Sequence, residues 1–188
     1  MKQYQFEVCA NSVESCLAAQ AGGAHRVELC AGIPEGGTTP PYGDIATARE
    51  LLTRTRLHVI IRPRSGDFLY SDLEQRIMLK DIENARRLGA DGVVFGCLTA
   101  DGEVDKALTG RLMAAAQGLS VTFHRAFDVC RDPHRALEDI IALGCHRILT
   151  SGQQPTAEQG IGLLTELQRQ AAGRITLLAG CGVNEGNI

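Results

Sequence analysis

Several features are missing from this chain of 188 residues, and each absence excludes a class of function. No apolar run approaches the ~18 to 20 residues that a membrane-spanning helix requires. The charged residues Glu7, Glu14 and Glu28 interrupt the N-terminal region, which leaves no signal-peptide core. Lys and Arg form no blocks and the formal net charge is −3, so no electrostatic surface for nucleic acid or anionic membrane is expected. We therefore expect a cytoplasmic protein with no nucleic-acid or membrane partner.

The seven cysteines contain no CxxC pair. Their odd number and scattered spacing argue against both a disulfide framework and a zinc knuckle. In a reducing compartment most of them are expected to be buried thiols that pack as small apolar side chains. Only Cys9 and Cys30 have a sequence context that suggests more.

That context is a glutamate two residues ahead of a cysteine, which occurs as Glu7 and Cys9 and again as Glu28 and Cys30. Each pair ends a short apolar run, and alternation along a strand puts both members of a pair on one face. If the two runs are neighbouring parallel strands, two carboxylates and two thiols lie side by side at roughly 4.8 Å strand spacing.

Short β-rich runs alternate with helix-like stretches along the whole chain, which predicts parallel βαβ units. The dinucleotide-binding turn GxGxxG is absent after the first run, so we expect a (β/α)8 TIM barrel rather than an open doubly wound sheet. Asn11 or Ser12 is expected to cap a helix that begins at Val13. The predicted strands are residues 5–9, 26–30, 57–62, 92–96, 120–124, 147–150 and 175–179, and the clearest predicted helices are residues 72–88 and 134–143.

The pattern stops one strand short of eight. Asn184 is expected to cap a seventh helix that the chain does not complete. We therefore expect residues 1–188 to be one TIM-barrel domain that is truncated after the seventh strand and lacks most of helix 7, strand 8 and helix 8. The edges of the first and seventh strands are then unpaired, which invites pairing between chains.

In a TIM barrel the carboxyl ends of the strands carry the active site. Arg62 and Arg64 follow the third predicted strand, and the planar fork of a guanidinium suits a carboxylate or phosphate. Ser151 follows the sixth strand, and Gly180 and Gly182 follow the seventh, where backbone N–H groups at a helix start favour an anion. These residues are the candidate substrate-binding set, although Arg62 could equally neutralise the two glutamates in a buried network.

His124 ends the fifth predicted strand and is the best candidate for a general acid or base. It could relay protons with Glu7 or Glu28, and Asp128 completes the candidate catalytic set. A purely structural, hydrogen-bonded histidine is the alternative. Cys9 and Cys30 are the candidate metal ligands, because soft thiolates suit Cu(I), while two reduced thiols that only fill space remain the alternative.

Six phrases, in this order, resemble the CutC family of copper homeostasis proteins. They are FEVC at residues 6–9, RVELC at 26–30, EGGTTP at 35–40, IRPRSGDF at 61–68, VTFHRAFD at 121–128 and LTSG at 149–152. The resemblance implies a cytoplasmic (β/α)8 barrel that forms homo-oligomers, dimers or tetramers, and is linked to copper tolerance. It implies Cu(I) binding by Cys9 and Cys30, no organic cofactor, and a polar pocket containing Glu7, Glu28, Arg62, His124 and Asp128.

Three functions follow as hypotheses. The first is a Cu(I)-binding homeostasis protein, and the second is a TIM-barrel enzyme of unknown reaction that acts on a small anionic metabolite. The third is a scaffold whose polar groups are a satisfied buried network. From the residues alone the enzyme ranks first, because barrels with convergent polar strand ends usually catalyse a reaction. The resemblance raises the copper function above it.

Overall fold

The computed structural model describes residues 4–188. Seven parallel β-strands alternate with six α-helices there, which is the β/α repeat of the TIM barrel that the sequence predicts. The strands are β1 (Glu7–Ala10), β2 (Arg26–Leu29), β3 (Arg56–Ile60), β4 (Gly92–Phe95), β5 (Ser120–Phe123), β6 (Arg147–Thr150) and β7 (Thr176–Ala179). The helices are α1 (Val13–Ala21), α2 (Tyr42–Leu51), α3 (Asp72–Arg87), α4 (Lys106–Ala115), α5 (Pro133–Ala142) and α6 (Ile161–Ala171), and two 3-10 helices span Ile33–Glu35 and Arg125–Val129.

The described residues divide into two compact units. The first comprises residues 4–67, 71–94 and 115–120, and the second comprises residues 68–70, 95–114 and 121–188. No helix in the described part of the chain has both the length and the apolar character needed to cross a membrane.

In the first unit, β1, β2, β3 and β4 are neighbours in chain order. Alternate residues of the inner strands are fully buried and apolar, namely Val27 and Leu29 in β2 and Leu57 and Val59 in β3. Arg26 and Glu28 alternate with Val27 and Leu29 along β2, point to the opposite side of the sheet and are also buried. The period-two pattern therefore separates an apolar face from a polar face that is itself withdrawn from water.

Local capping fixes the helix that follows β1. The Ser12 side chain accepts a hydrogen bond from the Ser15 N–H at 3.1 Å, and α1 begins at Val13 as predicted. This cap turns the chain directly after Ala10, so that Cys9 stays at the carboxyl end of β1.

In the second unit, β5, β6 and β7 are neighbours in chain order. Its core is apolar and includes Phe123 and Ile148 from the strands and Leu137, Ile140 and Leu167 from α5 and α6. Asp132 caps α5 by accepting from the N–H groups of His134 and Arg135.

The helix expected after Asn184 is not formed in the structure. The Asn184 side chain accepts from the Gly186 N–H at 2.8 Å, and the Asn187 N–H donates to the Asn184 carbonyl at 3.2 Å. A bond from an Asn side chain to the N–H two residues further on is formed both in local turns and at helix N-caps. Only four residues follow Asn184 in this chain, so the helix start at Asn184 stays a prediction.

Candidate functional site

The polar face of β1 and β2 forms a ladder of alternating charges and sulfurs. Glu7 is opposite Arg26 in the strand register, and Cys9 is opposite Glu28. Arg26 Nε donates to Glu7 Oε2, and the two side chains keep only 5% and 6% of their surface exposed. This ion pair is buried, and each partner compensates the charge of the other.

The two thiols come together at the carboxyl end of this ladder. Cys9 Sγ and Cys30 Sγ are 3.6 Å apart, and Cys30 Sγ is also 3.6 Å from Glu28 Oε1. Cys9 is exposed, whereas Cys30 and Glu28 are buried. The pair therefore has one sulfur that meets solvent and one that does not.

The electrostatics of the three groups are linked. Burial, reinforced by the negative charge of Glu7, raises the pKa of Glu28 well above its usual range. The hydrogen bond from Cys30 lowers the pKa of Cys9, while that bond and burial raise the pKa of Cys30. Of the two sulfurs, Cys9 is therefore the one whose deprotonated form is favoured.

The register differs from the side-by-side arrangement that we expected. Because β1 and β2 are offset, Glu7 meets Arg26 rather than Glu28, and the sulfurs meet diagonally. Arg26 is the residue that the analysis of candidate sites missed. Alternation along β2 places Arg26 on the same face as Glu28 and Cys30. A positive charge on that face, near the negative charge of Glu7, was the sequence signal that could have identified it.

Arg62 lies at the end of β3 and holds a loop over the buried thiol. Its Nη1 donates to the Glu35 and Gly37 carbonyls, each at 3.0 Å, and its Nη2 donates to the Gly66 carbonyl at 2.8 Å. A Cβ added to Gly37 would lie 3.6 Å from Cys30 Sγ, so this loop packs directly on the sulfur. The positive φ of Gly37, 83°, is a conformation that glycine adopts without strain.

Arg64 belongs to a different group. Its Nε donates to Glu74 Oε1 at 2.6 Å and its Nη2 donates to Asp67 Oδ1 at 2.9 Å, at the start of α3. Glu74 also forms a capping box with Ser71. Arg64 therefore ties the loop after β3 to the first turn of α3.

In the second unit, the structure brings together Asp128 and Ser151, which the sequence had predicted separately. The Asp128 side chain is 6% exposed and accepts from the Thr150 hydroxyl at 2.5 Å and from the Ser151 N–H at 3.0 Å. It also accepts from the Gln153 N–H at 3.2 Å and from Arg125 Nε at 2.7 Å. This carboxylate is surrounded by hydrogen-bond donors and stabilises the conformation of the chain directly after β6.

His124 is a buried residue at the end of β5. Its Nδ1 accepts from the Ala126 N–H at 3.2 Å, which caps the 3-10 helix Arg125–Val129. The ring centroid lies 5.0 Å from that of Phe68. One ring nitrogen is thus occupied by a local structural bond, and a role for His124 in proton transfer stays a prediction.

Gly180 and Gly182 follow β7. The Gly180 N–H donates to the Thr150 carbonyl at 3.1 Å, and the next two residues have positive φ values, 77° at Cys181 and 73° at Gly182. The turn at Asn184 takes the place of the helix whose start was expected to favour an anion. Anion binding at these glycines also stays a prediction.

The donor set decides which metals the thiol pair could hold. Within residues 4–188 no group of three or more His, Cys, Asp or Glu side chains is arranged to bind a metal ion. A structural zinc site needs four such ligands. Two adjacent sulfurs are therefore a site only for a soft ion that accepts few ligands.

The fold and its parallel strand order define a protein of the TIM-barrel class. The chain belongs to the CutC family, whose profile matches residues 4–188. A CutC family protein from Bacteroides thetaiotaomicron is 79% identical over the whole chain, which covers 76% of that relative. One from Bacteroides fragilis is 75% identical over the whole chain and is covered to 75%. A crystal structure of a candidate copper homeostasis protein CutC from Streptococcus agalactiae superposes with a TM-score of 0.93 at 36% identity, over 98% of this chain and 90% of that one.

Proposed function

We propose that this chain is a copper homeostasis protein that binds Cu(I) through Cys9 and Cys30. The observation that carries the proposal is the 3.6 Å separation of the two sulfurs. The name of the Streptococcus agalactiae relative, a candidate copper homeostasis protein, supports the biological setting. The copper ion is the cargo of the protein in this proposal, and no organic cofactor takes part.

The geometry suits one ion between two sulfurs. Two sulfurs that each lie about 2.3 Å from one metal are roughly 3.8 Å apart at a tetrahedral angle and roughly 4.6 Å apart when an ion with two ligands is linear. The observed separation of 3.6 Å therefore has to widen when the two sulfurs are the only ligands. Cu(I) is the physiological first-row ion that thiolates select by softness.

The protonation states also suit a metal that binds thiolates. The hydrogen bond with Cys30 lowers the pKa of Cys9, which favours the deprotonated sulfur that a metal binds. Cys30 must lose its proton when the metal binds, so we expect Cu(I) affinity to rise with pH. Glu28 Oε1, 3.6 Å from Cys30 Sγ, is the neighbouring acceptor for that proton.

The test is a competition titration of reduced, oxygen-free protein with Cu(I) and a strong colorimetric Cu(I) chelator. We expect one Cu(I) per chain. Changing both Cys9 and Cys30 to serine should lower the affinity by more than the ~10- to 100-fold that is typical of losing a supporting residue. Cys181→Ser is the matched control, because Cys181 is the other exposed cysteine and should be dispensable. Unchanged uptake by the double variant would refute the proposal.

The enzymatic hypothesis receives less support. It assigns Arg62 to an anionic substrate, whereas both terminal nitrogens of Arg62 already donate to backbone carbonyls. We therefore propose the copper function alone. A cytoplasmic location, where thiols stay reduced, and a homo-oligomeric state complete the proposal, and light scattering of the purified protein tests the latter.

A further inference from the structure

The asymmetry of the thiol pair suggests chemistry that does not involve a metal. All seven cysteines are free thiols, and Cys9 and Cys181 are the exposed ones. Cys181 Sγ lies 3.1 Å from the Pro155 carbonyl oxygen, whereas Cys9 Sγ lies beside a second thiol. Cys9 is therefore the exposed cysteine that has a thiol partner within reach.

We infer that Cys9 and Cys30 are a redox-active dithiol, in which Cys9 is modified by a low-molecular-weight disulfide and Cys30 resolves the adduct into an intramolecular disulfide. The inference goes beyond copper binding and does not require it. Both processes use the same sulfurs, so oxidation and Cu(I) binding exclude each other.

The division of roles follows from accessibility. A small disulfide in solution can reach the exposed Cys9 sulfur. It cannot reach Cys30 directly, because that side chain is buried and the loop at Gly37 packs on it. Arg62 holds this loop in place through the Glu35 and Gly37 carbonyls.

The exchange balances in two steps. In the first, the Cys9 thiol attacks the disulfide RS–SR; the Cys9–SR bond forms, the S–S bond breaks, and one RSH leaves with the Cys9 proton. In the second, Cys30 attacks Cys9 Sγ; the Cys9–Cys30 bond forms, the Cys9–SR bond breaks, and the second RSH leaves with the Cys30 proton. The two cysteines lose two electrons in total, and the small disulfide gains them.

Bond formation requires the sulfurs to close from 3.6 Å to about 2.05 Å. Cys9 is in register with Glu28, so Cys30 is its diagonal neighbour two residues further on. A diagonal pair lies further apart than a directly opposed pair, so closing the disulfide requires a shift of the backbone and stores strain. We therefore expect a disulfide that small dithiols reduce readily.

The experiment uses metal-free, reduced full chain carrying Cys181→Ser, so that the other exposed thiol does not contribute. Oxidised glutathione is added, the reaction is quenched with acid, and remaining thiols are alkylated before mass spectrometry of the intact chain and its peptides. We expect loss of two hydrogens and a peptide pair joined through Cys9 and Cys30. Dithiothreitol should restore the reduced mass. The chain without the Cys181 change should form the same link.

Two variants separate the steps. With Cys30→Ser, a glutathione adduct should accumulate on Cys9 and persist. With Cys9→Ser, Cys30 should stay unmodified for as long as the chain is folded, which far-UV circular dichroism checks. Cys30→Ala repeats the first test with an apolar side chain in the buried position.

Two results would overturn the inference: a Cys9 adduct that persists equally with and without Cys30, or folded chain whose Cys9 takes up no glutathione. Because no copper is present, neither result bears on the copper titration. If the chain binds Cu(I) but forms no disulfide, then the copper-binding proposal is supported and the dithiol inference is refuted.

Discussion

Glu28 and Asp128 are two acidic residues near the carboxyl ends of strands, and they have opposite environments. In the first unit Glu28 is buried beside a thiol and near Glu7, and its pKa is raised. In the second unit Asp128 accepts from hydroxyl, backbone and guanidinium donors. The first carboxyl group is held in a setting that disfavours its charge, and the second is surrounded by hydrogen-bond donors.

The comparison teaches that position in a β/α repeat does not assign a role. A carboxylate that already accepts several hydrogen bonds stabilises the local chain conformation, because its lone pairs are occupied by the donors around it. A carboxyl group that touches a reactive sulfur and is short of donors is costly to bury, and such groups concentrate at functional sites. Glu28 lies on β2 and Asp128 lies in the 3-10 helix after β5, and the environment of each residue distinguishes their roles.

The largest expected effect comes from breaking the cluster of the second unit. Asp128→Ala leaves buried donors of Thr150, Ser151 and Gln153 without their acceptor. We expect a loss of about 3 to 5 kcal/mol in the free energy of unfolding, measured by urea denaturation. Asp101→Ala, at an exposed aspartate of the same unit, is the control and should stay within about 0.5 kcal/mol of the parent. A small change in the free energy of unfolding for Asp128→Ala would mean that these hydrogen bonds do not stabilise the folded chain.

A smaller and pH-dependent effect is expected at Glu28. Its pKa is raised in the folded chain, so between the unfolded value near 4.5 and the raised value the folded state binds more protons than the unfolded state. Stability should therefore fall as pH rises through this window, by at most about 1.4 kcal/mol per pH unit from this residue. Glu28→Gln should remove that part of the slope.

The measurement is urea denaturation of parent and variant across the window. If the two stability profiles run parallel, then Glu28 is ionised in both states and the contrast with Asp128 fails. The variant also probes the scaffold hypothesis, in which it would change stability and leave Cu(I) affinity unchanged.

The smallest effect on the pH profile is expected from Glu7→Gln, although loss of the buried ion pair with Arg26 should lower the stability at every pH. The charge of Glu7 contributes to the raised pKa of Glu28, and the charge of Arg26 opposes it. Neutralising Glu7 leaves Arg26 free to act on Glu28, so the pKa of Glu28 should fall. The declining part of the stability profile should then end at lower pH. An unchanged profile would show that burial alone sets the pKa of Glu28.

Much of the fold could be predicted from local pattern. The predicted strand at residues 147–150 matches β6, and the predicted helix at 72–88 matches α3 to within one residue. These segments carry strong local signals, an apolar strand run in one case and the Ser71 and Glu74 capping box in the other. At Asn184 the local signal is weaker, because this residue type favours a turn as readily as a helix cap.

The site could be predicted only in part. Alternation placed Glu7 with Cys9 and Glu28 with Cys30, and the structure does bring both sulfurs together. The alternation pattern could not give the register between β1 and β2, which pairs Glu7 with Arg26. The sequence also could not show that Arg62 donates to the backbone of a loop, because every residue has a carbonyl group and only the tertiary structure decides which carbonyl groups are nearby.

The sequence by itself determined the β/α repeat, the polar face of the first two strands and the residues that lie on it. These follow from side-chain periodicity and capping, which act over a few residues. Only the tertiary structure decided which of those residues meet, and which sulfur faces solvent. Strand register and burial depend on the packing of the whole unit, and those two properties divide Cys9 from Cys30.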